Sequence, residues 1–69
     1  MKGFIELHNI FNFTYLISVK QIIEVYQPDK AENTKIKFQR ANEIATYICK
    51  ESYEEIKQKI AEAVKWLKF

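Results

Sequence analysis

The sequence predicts an α+β domain: a five-stranded antiparallel β-meander with one C-terminal amphipathic helix packed on the sheet. Three observations carry this reading. Short runs before residue 50 alternate apolar and polar side chains with period two, as half-buried strands do. The loops between these runs are short, which favours antiparallel neighbours. From Ser52 onward the period lengthens to that of a helix.

The first strand lies in "GFIELHN", with Ile5 and Leu7 on one side and Phe4, Glu6 and His8 on the other. Asn9 and Asn12 then flank Ile10 and Phe11, and asparagine tolerates turn backbones, so a tight hairpin is expected. "FTYLI" is the second strand, rich in aromatic and β-branched residues. "SVKQ" interrupts the pattern, with Ser18 able to bond the backbone of a short turn. A third strand runs from Ile22 to Gln27. "PDKAEN" holds the single proline and is the clearest loop.

"TKIKFQ" is the cleanest strand: Thr34, Ile36 and Phe38 share one face, Lys35, Lys37 and Gln39 the other. After the turn "RAN", "EIATYICK" is the fifth strand, where Ile44, Thr46 and Ile48 oppose Ala45, Tyr47 and Cys49. A helix over 52–67 opens with Ser52 as N-cap and Glu55 three residues on, a capping box. Tyr53, Ile56, Ile60, Ala63, Val64 and Leu67 form its apolar stripe. The expected core is Ile5, Leu7, Ile36, Phe38, Ile48, Ile56, Ile60, Val64 and Leu67. Segment "IFNFTYLI" is apolar on both faces, so its buried side is left open.

With 69 residues the chain is one small domain, 1–69, and chains this short usually lean on disulfides, metals or a partner. One cysteine cannot form an internal disulfide, and one cysteine with one histidine cannot build a zinc site from soft ligands. The remaining routes are a well-packed core or oligomerisation. The net charge of +2 is mild beside that of a dedicated nucleic-acid binder. No run approaches the ~18 apolar residues of a membrane span. Glu6 and His8 break up any signal-peptide core, and the lone cysteine suits a cytoplasmic location.

The search for chemistry yields no catalytic, cofactor or metal site, so an enzyme is not expected. His8 has Glu6 on its own strand face, but a catalytic pair would need a deep pocket holding His8 beside a carboxylate. Cys49, just before the helix, reads as a small core residue rather than an activated thiol. Lys35, Lys37 and Arg40 form a basic strip, the alternative nucleic-acid surface, with Phe11, Phe13, Tyr15 or Tyr26 as stacking platforms. Lysines on an exposed strand also serve simply to block edge-to-edge aggregation. The helix glutamates read as surface charge, in Glu54–Lys57, Glu55–Lys59 and Glu62–Lys65 spacings.

The last turn is less ordinary. On a helical wheel Trp66 lies roughly 110° from the stripe centre and Phe69 almost opposite it. Three readings stay open: a tail folded over the sheet edge, a homodimer interface, or contact with a membrane surface. The expected function is a non-enzymatic interaction module, self-associating as a homodimer or engaging another protein. The candidate interface is Trp66, Phe69, Phe11 and Phe13.

Across "YLISVKQIIEVY", "TKIKFQ" and "ICKESYEEIKQKI" the sequence resembles the FlbD-type proteins of bacterial flagellar operons and related short bacterial and mobile-element proteins of unassigned function. Tyr15, Ile17, Ser18, Ile22, Val25, Thr34, Ile36, Phe38, Ile48, Glu51, Ser52, Glu54 and Ile56 stand in the matching places. Ser18 replaces the usual asparagine, and "NIFN" and "RAN" stand where that pattern has turn glycines. The resemblance implies a short meander, a C-terminal helix, a bacterial origin and no known catalysis. Its link to motility rests on no residue seen here. The layout is also similar to that of carbon-storage-regulator RNA-binding proteins, without their glycine-rich first hairpin; layout alone implies no function.

Overall fold

The computed structural model describes residues 3–65. The expected elements are present: β1 (Phe4–His8), β2 (Thr14–Ser18), β3 (Ile22–Tyr26), β4 (Thr34–Arg40), β5 (Glu43–Cys49) and α1 (Tyr53–Val64). All strand pairs are antiparallel. The strands do not form one continuous meander. They divide into a two-stranded sheet, β1–β2, and a three-stranded sheet, β3–β4–β5. The break falls at "SVKQ", where Val19–Gln21 form a single 3₁₀ turn that separates β2 from β3. The two sheets meet elsewhere, at an Asn9–Cys49 bridge flanked by Lys50 N–H to His8 C=O (2.8 Å) and Ile10 N–H to Ile48 C=O (3.2 Å).

The core gathers Ile5, Leu7, Ile17, Ile36, Phe38, Cys49, Ile56 and Ala63. The alternation of β4 is as expected, with Thr34, Ile36 and Phe38 buried. In β2 it is Ile17 that turns inward, leaving Leu16 outside. Ile60 and Val64 are half-buried, and Leu67 lies outside the described residues.

Ile48 is a correction: it is exposed, not core. The register sets Thr34 opposite Cys49, Ile36 opposite Tyr47 and Phe38 opposite Ala45. Opposed residues share a sheet face. Once β4 commits its even positions to the core, β5 must commit its odd ones. Tyr47 fills the space with its ring, packing edge-on to Phe38 (4.6 Å between centroids) and against Tyr15 (4.3 Å). Ile44 and Ile48 are left on the outer face.

Ser52 caps α1, its hydroxyl accepting from the Glu55 N–H at 3.1 Å. The helix packs against β1 and the 3₁₀ turn, inserting Ile56 and Ala63. Tyr53 is exposed at the first turn rather than packed. Lys59 reaches the Glu6 carbonyl (2.9 Å) in place of Glu55, whereas the Glu62–Lys65 pair forms at 3.3 Å.

Candidate interaction surface

The hairpin tip is built by asparagine. Asn9 Oδ1 accepts from the backbone N–H of Phe11 (2.9 Å) and of Phe13 (3.0 Å). Asn12 takes a left-handed backbone (φ 69°), which asparagine tolerates, and its N–H donates to Asn9 C=O. Lys50 donates to Asn12 Oδ1 from across the sheet junction. These bonds order the backbone that carries Phe11 and Phe13, while both side chains are largely in water, at 73% and 62% exposure.

Beside the tip lies a small cleft of about 240 Å³ lined by Ile10, Phe11, Tyr15, Thr46, Tyr47 and Ile48. It runs along β5 where the contact with β1 ends. The misplaced isoleucine thus joins the hairpin aromatics on one apolar surface. Of the expected candidates, Phe11 lines this cleft and Phe13 stands two residues on in the same hairpin; Trp66 and Phe69 lie outside the described residues. What the sequence reading missed is the contribution of β5. Its signal was present in the two-sided apolar pattern of "EIATYIC".

The basic strip is divided. Lys35 and Lys37 share the outer face of β4, but Arg40, five residues after Lys35, points to the opposite face and donates to Tyr47 Oη at 3.1 Å. Each lysine also faces a carboxylate, Lys35–Glu32 at 3.5 Å and Lys37–Glu24 at 3.6 Å. The strip is therefore not the single cationic surface the sequence suggested.

His8 has a carboxylate partner, and it is Glu51 rather than Glu6. Glu51 is nearly buried; its two oxygens accept the His8 backbone N–H at 3.0 and 3.1 Å, and Oε2 meets His8 Nδ1 at 2.6 Å. An ionised carboxylate only accepts, so Nδ1 carries the proton of this pair. As the chain leaves β5 for the helix, the Glu51 side chain occupies the place where the next strand carbonyl would have met His8. Burial pushes the Glu51 carboxyl up, but the bonds from the His8 ring, the His8 N–H and its own N–H, with the His8 charge, outweigh it and hold it below the usual carboxylate range.

The surrounding groove, about 400 Å³ and open, is lined by His8, Asn12, Lys50, Glu51 and Glu55. No serine, threonine or cysteine lines it. Neighbouring Cys49 is buried, and burial, then the Glu51 charge, pushes its thiol up to about 11. Among the described residues no group of three or more His, Cys, Asp or Glu side chains could hold a metal ion. None of their helices is long and apolar enough to cross a membrane.

No family model, curated protein or solved structure matches the chain.

Proposed function

We propose that this chain is a small non-enzymatic interaction module that self-associates as a homodimer through the hairpin tip and the neighbouring outer surface of β5. The observation that carries this reading is a pair of phenylalanines whose backbone is tied to Asn9 and whose side chains are exposed to water, with Phe11 lining an apolar cleft. Large rigid aromatics lose little conformational entropy on binding and anchor interfaces well. A domain of 69 residues also gains stability from burying such surface against a second copy. Trp66 and Phe69 remain part of the proposed interface on the strength of the sequence alone.

Under the same reading His8–Glu51 is a clamp between β1 and the start of α1, not a catalytic pair. The location is a reducing one, the cytoplasm, where Cys49 stays a thiol. The resemblance to FlbD-type proteins draws support from two backbone angles: the left-handed residues Asn12 (φ 69°) and Ala41 (φ 48°) fall in the two turns where that pattern places glycine. The nucleic-acid alternative predicts binding that weakens steeply with salt; the separation of Arg40 from Lys35 and Lys37 weighs against it.

The test is solution mass by light scattering over a concentration series, for the wild type and the double variant Phe11→Ala, Phe13→Ala. A dimer that weakens in the variant supports the reading. A wild-type monomer at every concentration refutes it.

A further inference from the structure

The free edge of β5 has a specific geometry. In an antiparallel ladder a residue directs both its N–H and its C=O to one side, and its neighbours direct theirs to the other. Lys50 N–H and Ile48 C=O face β1, so the even residues of β5 point away from β4. Contact with β1 ends at Ile10–Ile48. The backbone groups of Ile44 and Thr46 therefore lie on an edge that no described strand covers. The strand carries no proline or lysine, the usual guards of such an edge. The other edges are less well suited. That of β3 is bent by a bulge between Ile22 and Glu24 and followed by Pro28. On β2 the Ser18 N–H is already turned to Gln21 Oε1 (3.4 Å), and no charged side chain is present to set a register.

We infer that the second copy docks by antiparallel pairing of its β5 with β5 of the first across a twofold axis at Ala45. This rests on the self-association reading and names its contact. Ile44 then faces the partner's Thr46, and the reverse, giving about four backbone hydrogen bonds.

Charge fixes this register. With Ile44 opposite the partner's Thr46, Glu43 falls opposite the partner's Tyr47. Within each copy the Tyr47 hydroxyl holds the Arg40 guanidinium at 3.1 Å. Arg40 and Glu43 are direct neighbours across β4 and β5, yet among the described residues neither forms an ion pair. The proposed axis brings each Glu43 to the partner's Arg40, twice by symmetry. Strand pairing alone buries little area; Ile44 and Ile48 on the outer face, and Phe11 beside the cleft, supply the apolar part.

The experiment measures the dimer dissociation constant by sedimentation velocity for the wild type, Thr46→Pro, Glu43→Arg, Arg40→Glu, the double swap Glu43→Arg with Arg40→Glu, and the Phe11→Ala, Phe13→Ala variant. Proline at 46 removes an edge-facing N–H and leaves the β4 ladder donors intact. The expected result is a rise of about tenfold or more for Thr46→Pro and each single swap, with recovery toward wild type in the double swap. The charge swaps sit on exposed positions, so they decide the matter even where Thr46→Pro unfolds. A wild-type dimer unmoved by the single swaps but lost in the phenylalanine variant overturns the β5 pairing and leaves self-association standing. A wild-type monomer overturns both.

Discussion

Replacing Glu51 with glutamine removes one negative charge and almost no volume, and the structure says what that costs. Glu51 receives the His8 backbone N–H on both oxygens and the His8 ring N–H at 2.6 Å. Hydrogen bonds to a charged group are worth about 1.5–3 kcal/mol each, neutral ones about 1. Glutamine keeps one good acceptor and turns an N–H₂ toward the second donor. The expected loss is about 2–4 kcal/mol, a large share of the roughly 3–10 kcal/mol available to a domain of this size. In thermal unfolding followed by circular dichroism this is a fall of roughly 10–25 °C in Tm.

The loss depends on pH in a fixed direction. The Glu51 carboxyl is held below its ordinary value in the folded state. Its contribution is therefore complete above the unfolded carboxyl pKa of about 4.3, and it disappears as pH falls through the lower folded value. The stability gap between wild type and Glu51→Gln should be full at pH 6–7 and should close below about pH 4. A gap under about 0.5 kcal/mol at neutral pH, or one that stays constant down to pH 3, would refute the clamp.

Three further predictions follow from the same structure. Ala41 holds a left-handed φ of 48° in the two-residue β4–β5 turn, so Ala41→Gly should stabilise by about 1 kcal/mol in urea unfolding; destabilisation would contradict the turn. Thr34 Oγ1 is buried without a partner among the described residues, so the near-isosteric Thr34→Val should stabilise by about 1 kcal/mol, and a loss of stability would reveal a bond to that hydroxyl. Cys49 is buried with its thiol pushed up to about 11, so iodoacetamide at pH 8 should label it slowly in native buffer and fast in guanidinium; equal rates would place it at the surface.

The elements were legible because their causes are local. Alternation in "TKIKFQ" and the Ser52 cap depend on residues a few positions apart. The candidate surface was half legible. Phe11 and Phe13 stood out as aromatics near a turn, but nothing in "EIATYIC" says which of its two apolar sides faces water. Glu51 was harder still. It stands beside the Ser52 cap with no local pattern to mark it, and its partner His8 is 43 residues away.

By itself the sequence determined the strands, the turns and the helix start, because hydrophobic period and capping are written in neighbouring side chains. Only the tertiary structure decided the rest. The β4–β5 register turned Tyr47 and Cys49 inward and Ile44 and Ile48 outward. The 3₁₀ turn split the sheet, and the Asn9–Cys49 bridge brought His8 to Glu51 and left half an edge of β5 open. Each of these depends on pairing between distant segments. A shift of one residue in such a pairing exchanges every buried side chain for its exposed neighbour.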